Sequence, residues 1–497
     1  MKRGIIPLHK IKLEFTRKNF EYDVYSLVRA FFPSCDVQTS YRGEEGGTGE
    51  FDRLILVDEQ EEGFLFSIRE GERLLYEESV PAGKDAGRTE RKNLLKQAVY
   101  RGLSQLTGTA LPWGTLTGIR PTKIPMQMLE AGMRNPDIAR YMRETYYTSR
   151  EKTALAIAVA NQEKALLEPF DYEKGYSLYV GIPFCPSICL YCSFGSHPLK
   201  LWENRLEEYL QAVEKELEFV SRAFAGKNLN SIYIGGGTPT TLHADQLERL
   251  LGYICSRFDL SALQEFTVEA GRPDSITKEK LQAIRRFPVD RISINPQTMH
   301  QETLDLIGRR HTVEQVIESF HLARDLGYDN INMDLIVGLP GEGEQEVHHT
   351  MEEIKALDPD SLTVHSLALK RATRLNLFKD RYREISFENS RAIMDMTADG
   401  AAAMGMRPYY LYRQKNIAGN FENVGYAKVD KAGIYNILIM EEKQTIMAVG
   451  AGASTKLVFD QGRRIERVEN VKDVNHYLAR IDEMIERKRA GIEKWLG

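Results

Sequence analysis

Past residue 176 the chain alternates between short apolar runs and longer amphipathic stretches. The runs cover residues 178–182, 231–234, 266–268, 291–294, 331–337 and 361–365. Between them, 203–224, 244–258, 278–286, 313–326 and 344–357 repeat apolar positions at helical spacing. A run that is apolar at nearly every position belongs to a strand buried on both faces, as in a parallel sheet. Strands joined by single helices make βαβ crossovers. Six such units predict an α/β fold, a curved, partial (β/α)6 barrel over residues 166–375. Its site is expected at the C-terminal ends of the strands.

The flanking segments have a different rhythm. Residues 10–15 alternate, with Ile11, Leu13 and Phe15 apolar, which predicts a half-buried strand. A helix is expected over 21–32 and strands over 51–57 and 63–68. Leu95, Ala98, Val99, Leu103 and Leu106 share one helix face, which Gly108 ends. Residues 113–121 are loop by their Gly and Pro content, and helix follows to about 167. Together 1–165 form an amino-terminal α+β domain. Beyond the barrel, 388–404 has helical period and 406–414 is aromatic and basic. Strands are expected over 434–440 and 445–449, and a final helix over 473–495. Residues 376–497 are expected as a C-terminal domain that caps the barrel.

Composition narrows the class. The 497 residues carry 66 Lys and Arg against 71 Asp and Glu, a formal net charge of −5 with no basic block. That argues against a nucleic-acid partner. No stretch approaches the roughly 18 apolar residues of a membrane span. Residues 1–7 lack the apolar core of a secretory signal, so a cytoplasmic location is expected. The five cysteines, Cys35, Cys185, Cys189, Cys192 and Cys255, are too few for a disulfide framework.

Cys185, Cys189 and Cys192 directly follow the first barrel strand. Pro183 and Pro186 prevent a regular helix there, so the segment is a loop that wraps something. Three readings are open. Buried apolar cysteines need no partner. Zinc takes four protein donors in a closed site, and His197 is the only nearby fourth. An iron–sulfur cluster on three thiolates keeps one metal open for a further ligand. After the second strand, Gly235-Gly236-Gly237-Thr238-Pro239 lets the backbone approach a ligand and exposes N–H donors. It matches neither the dinucleotide nor the P-loop glycine pattern. Glu269, Gln297, Arg309 and Asp334 fall at or near the ends of the strands that follow. A carboxylate inside an apolar strand, as at Asp334, needs a partner.

The CxxxCxxC spacing resembles the loop of the radical S-adenosylmethionine (SAM) superfamily. The resemblance implies a [4Fe–4S] cluster with three irons on Cys185, Cys189 and Cys192. SAM holds the fourth and is cleaved by one electron to a 5′-deoxyadenosyl radical. It also implies that Tyr191 touches the adenine and that the GGGTP segment binds the methionine group. The narrower likeness rests on Leu178-Tyr179-Val180-Gly181-Ile182-Pro183-Phe184-Cys185, the GGGTPT run, and Asn332-Met333-Asp334-Leu335-Ile336-Val337-Gly338-Leu339-Pro340-Gly341. The runs 409–416 and 448–454 add to it. Together they look like the oxygen-independent coproporphyrinogen III oxidase family, in its coproporphyrinogen dehydrogenase branch with an amino-terminal extension.

By matching motif positions, Tyr179 is expected on the SAM carboxylate and Gly236, Gly237 and Thr238 on the methionine amino end. Glu269, Gln297, Arg309 and Asp334 would line the SAM pocket, Asp334 on the ribose hydroxyls, and the Ala368 backbone would meet the adenine. The implied activity converts two propionates of coproporphyrinogen III to vinyl groups, giving protoporphyrinogen IX, with a flavodoxin- or ferredoxin-type electron donor. Lys370, Arg371, Arg374, Arg413 and Lys415 are the cations expected to meet a tetra-acidic substrate. Phe194 stands where the well-studied oxidases carry a further cysteine. The haem-chaperone branch lacks it too, so haem binding and transfer is the second activity the resemblance allows. Residues 1–165 hold only Cys35, and no second cluster is expected there.

Overall fold

The computed structural model describes residues 10–33, 35–43, 50–118, 120–193, 195–368, 389–414 and 421–496. The chain divides into two units, Met1–Ala160 with Arg413–Glu422, and Asn161–Tyr412 with Asn423–Gly497.

The first unit holds β1 (Lys10–Phe15), β2 (Asp36–Tyr41), β3 (Arg53–Gln60), β4 (Gly63–Glu70) and β5 (Arg73–Pro81), in the order β2-β1-β3-β4-β5. The alternation of β1 puts Ile11, Leu13 and Phe15 in the core. There they join Val24 and Leu27 of the helix Glu21–Phe31 and Leu95, Val99 and Leu103 of the helix Arg88–Thr107. Gly108 ends the second helix in the left-handed conformation, φ 69°. β2 and β5 carry little apolar signal because most of their residues are not buried. The loop around Trp113 is held by a segment far away in sequence. The Trp113 indole donates to Glu422 at 2.7 Å, Lys152 pairs with the same carboxylate at 2.5 Å, and Arg413 donates to the Leu116 carbonyl at 2.7 Å. Arg413, expected to meet the substrate, is instead buried in this unit against the Trp113 ring.

In the second unit, β6 (Gly175–Ile182) leads into β7 (Phe184–Cys185), which pairs with β8 (His197–Pro198) across the cysteine loop. β9 (Asn228–Gly236), β10 (Glu265–Gly271), β11 (Arg291–Ile294), β12 (Ile331–Val337) and β13 (Ser361–Ser366) follow, and β6 and β9–β13 pair in chain order, each parallel to the next. Helices lie between them where the spacing predicts, which makes the partial (β/α)6 architecture. β11 is buried at every position and β12 at all but Asp334, the reason both are unbroken apolar runs apart from their few polar residues.

Later segments extend the same sheet. β14 (Arg407–Tyr412) and β15 (Asn423–Ala427) add antiparallel at the β13 edge. β16 (Thr445–Val449) lies parallel to β6, and β17 (Ser454–Phe459) and β18 (Arg464–Glu469) complete eleven strands.

Two expected elements also need correction. Residues 434–440 are not a strand but belong to the helix Ile434–Glu441. A short apolar run without alternation suits either element. Glu265 decides it, because its carboxylate accepts the N–H groups of Ile434 and Tyr435 and so puts negative charge at the helix start. The final helix is two, Val474–Ala479 and Ile481–Leu496. Among the described residues no helix is long and apolar enough to cross a membrane.

Candidate active site

The cysteine loop is shaped by the turn that carries Arg309. The Leu190 N–H donates to the Ile307 carbonyl at 2.9 Å, and the Ser187 hydroxyl to the Gly308 carbonyl at 2.9 Å. The Thr238 hydroxyl lies 3.5 Å from the Cys185 sulfur and the Ser196 hydroxyl 3.6 Å from that of Cys192. Burial pushes the Cys185 thiol up; hydrogen bonds from Thr238 and Ser196 oppose this, and the charges of Cys192 and Cys189 add to it. Thiolates gathered on one loop repel one another and are stabilised by cations among them. Among the described residues no three such donors close on one metal ion. A cluster differs from a single ion in that each thiolate binds its own iron, so its sulfurs need not converge on one point. His197, the fourth donor a zinc site needs, lies with Nε2 3.4 Å from the Lys472 carbonyl.

The glycine turn ends β9 and packs on the strand leading to Cys185. Gly236 has φ +106°, a conformation that L side chains rarely adopt. A Cβ on Gly237 would lie 2.5 Å from the Phe184 carbonyl oxygen, closer than atoms can approach. The N–H donors expected to face a ligand are already used: Gly237 donates to Ile182 and Thr238 to Phe184, both at 2.8 Å. The glycines serve close approach between two backbone segments.

Tyr179 of β6 stacks with Tyr233 of β9 and with Tyr435, ring centres 6.3 and 6.2 Å away. The Tyr233 hydroxyl donates to Glu269. Burial pushes the Glu269 carboxyl up to about 7; the Tyr233 hydrogen bond opposes this and the Asp334 charge reinforces it. Asp334 accepts from Asn332 at 2.7 Å, and the His365 ring lies 3.8 Å from its other oxygen. Burial pushes Asp334 up, yet His365, Asn332 and Arg291 outweigh it and hold the carboxyl below its usual range. At 3.8 Å the His365 ring lies beyond hydrogen-bond distance of that oxygen.

Gln297 sits at φ +72°, its N–H on the Asp334 carbonyl at 3.0 Å and its own carbonyl accepting from Ile336 at 2.9 Å. Its side-chain oxygen is buried without a partner among the described residues. Such strain in a non-glycine residue clusters at functional sites. Arg309 donates to the carbonyls of Asn295 and Pro296. Tyr191 packs against Leu304, Ile336 and Leu367, and Ala368 follows the end of β13.

Tyr179, the glycine turn, Glu269, Asp334 and Gln297 thus form one continuous group, and Tyr191 and Arg309 stand by the cysteine loop. A pocket of about 130 Å³ opens beside this group, lined by Tyr179, Pro183, Ser196, Gly236, Gly452 and Lys472 among others. Sequence reasoning missed Tyr233, His365 and Tyr435. The register signal for Tyr233 exists, since it pairs with Tyr179 across β6 and β9. Phe194, Lys370, Arg371, Arg374 and Lys415 lie outside the described residues.

Comparison with known proteins adds four findings. The model of the radical SAM superfamily matches residues 179–354. The oxygen-independent coproporphyrinogen-III oxidase-like protein HemZ of Bacillus subtilis is 39% identical over 81% of this chain and 81% of its own length. The heme chaperone HemW of the same organism is 32% identical over 62% of this chain and 76% of its own. Among solved structures, coproporphyrinogen III oxidase (HemN) from Escherichia coli shares the fold, with a TM-score of 0.50, 24% identity and coverage of 65% of this chain and 73% of that one.

Proposed function

The chain belongs to the radical SAM family of oxygen-independent coproporphyrinogen III oxidase-like proteins, and on that footing we propose that it decarboxylates coproporphyrinogen III oxidatively to protoporphyrinogen IX. The family's cofactors are a [4Fe–4S] cluster and SAM. One observation carries the reading to this substrate. The likeness to the coproporphyrinogen oxidase-like relative spans 407 residues, far beyond the barrel segment 179–354 that the superfamily shares. It therefore takes in segments outside the common barrel.

When bound, the cluster and SAM supply a carbon radical that takes a hydrogen atom. The chain's residues hold and orient. Cys185, Cys189 and Cys192 would each hold one iron. The ammonium of SAM is a donor and would meet an acceptor, Glu269. The Tyr179 hydroxyl would donate to the SAM carboxylate. Asp334, kept ionised by His365 and Asn332, would accept from the ribose hydroxyls. Two of the substrate's propionates would each lose a hydrogen atom from the β-carbon, then carbon dioxide, with one electron passing to a one-electron acceptor, leaving a vinyl group.

Haem transfer without porphyrin chemistry is the second reading, favoured by the HemW likeness and by Phe194 in the place of a cysteine. Anaerobic incubation with coproporphyrinogen III, SAM and a reductant separates the two. Vinyl product supports the decarboxylase. Tight stoichiometric haem with the porphyrinogen untouched supports the chaperone.

Two predictions arise here. Asp334→Ala weakens SAM binding by roughly ten- to a hundred-fold, the cost of a charge-assisted hydrogen bond, while iron content stays unchanged. Calorimetry with unchanged affinity removes Asp334 from the SAM site. The Glu269 carboxyl, raised from about 4.5 to about 7, gives a pH signature. Folding favours its protonated form, so its contribution to stability is full below about 4.5 and is lost as pH rises through about 7. A SAM ammonium needs the ionised form, so SAM affinity rises with pH across that same window. In Glu269→Gln the rise disappears; a titration in which it persists assigns the pH dependence to another group.

A further inference from the structure

We propose that Arg272 is a positioning residue for the cluster, a buried cation that raises the reduction potential of the iron held by the cysteine loop. The inference rests on the reading that Cys185, Cys189 and Cys192 carry the cluster. Arg272 follows β10 and is buried. Its Nη1 donates to the Ser187 carbonyl at 2.9 Å and the Ser187 hydroxyl at 2.8 Å, and faces the Cys189 sulfur at 3.9 Å. Its Nε and Nη2 pair with both oxygens of Asp274, at 2.9 and 2.7 Å. A guanidinium gripped on both edges has one orientation. Ser187 in turn donates to Gly308, so the contact reaches through the loop to the turn before Arg309.

Of the other charged groups near the loop, Asp274 offsets part of this cation and the rest do not. Arg309 acts on Tyr191, next to Cys192, with the same sign. His311 is buried between these arginines, and burial first, then the Arg309 charge, pushes its ring down to about 3, so it stays neutral. Asp274 is the counter-charge, on the edge of the guanidinium away from Nη1.

On reduction the cluster takes one electron from an external one-electron donor and gains one negative charge. A fixed positive charge beside a ligand sulfur stabilises that charge, and hydrogen bonding to a ligand sulfur withdraws electron density from it. Both raise the potential.

The test uses the full chain, reconstituted anaerobically with iron and sulfide and titrated with dithionite while the electron paramagnetic resonance signal of the reduced cluster is followed. In Arg272→Gln the midpoint moves to more negative potential. In Asp274→Asn, which keeps the guanidinium and removes its counter-charge, the midpoint moves to more positive potential. Opposite shifts at unchanged iron content support the proposal, because a merely structural contact gives no such sign reversal. Midpoints that stay put, or move together, overturn it. If Arg272→Gln holds no iron, Asp274→Asn decides alone: a positive shift supports the proposal, and none or a negative one overturns it. An unaltered chain that forms no cluster defeats the ligand reading itself, whereas a cluster with unmoved midpoints defeats only the role of Arg272.

Discussion

Cys185→Ala, Cys189→Ala and Cys192→Ala are each expected to abolish the cluster, while Cys35→Ala and Cys255→Ala leave it intact. On the proposed reading each thiolate of the loop would be the sole protein ligand of one iron, so no neighbour could substitute. Cys35 lies in the core of the first unit, packed among apolar side chains. Cys255 sits on the helix Ala244–Arg257, outside the cysteine loop. Protein purified without oxygen should be brown and hold about four irons, and each loop variant should be colourless. Bleaching by Cys255→Ala with colour kept in Cys189→Ala would reverse the ligand assignment.

Lys488→Ala is expected to destabilise the second unit by about 3–5 kcal/mol, the typical cost of leaving a buried charge unpaired. Lys488 and Glu216 are both 0% exposed and pair at 2.6 Å. Glu216 also accepts from the Gly450 N–H at 2.8 Å, from Asn470 at 2.9 Å and from Tyr477 at 2.5 Å. The network thereby ties the C-terminal helix Ile481–Leu496 to the turn after β16, whose Ala451, Gly452 and Ala453 line the pocket. Replacing both charges, as Glu216→Leu with Lys488→Met, should restore only part of the loss, since no bare charge is then buried but the Gly450 N–H, Asn470 and Tyr477 lose their acceptor. The urea midpoint reads both effects. A Lys488→Ala midpoint within the error of the parent would mean that water or another cation compensates Glu216.

The barrel was legible because its strands are buried on both faces and so appear as apolar runs between amphipathic helices. The cysteine loop was legible because three thiols in one short segment have few uses. Glu269, Gln297 and Asp334 could be placed at strand ends for the same reason, since strand boundaries follow from the pattern. Three things were not legible. The start of the helix Ile434–Glu441 depends on Glu265, some 170 residues earlier in the chain, and no local pattern encodes such a cap. The membership of Arg413–Glu422 in the first unit depends on Trp113 and Lys152 meeting Glu422. The use of the glycine-turn N–H groups depends on the path of the strand beside them. Periodicity reports which face of an element is buried, not which distant group it meets.

The most direct measurement is the mass of the 5′-deoxyadenosine formed from coproporphyrinogen III deuterated at the β-carbons of its propionates, with SAM and a reductant under anaerobic conditions. The expected result is 5′-deoxyadenosine carrying one deuterium, formed together with vinyl-bearing product. Unlabelled 5′-deoxyadenosine with the porphyrinogen unchanged would contradict it, and would show that the radical arises without acting on this substrate.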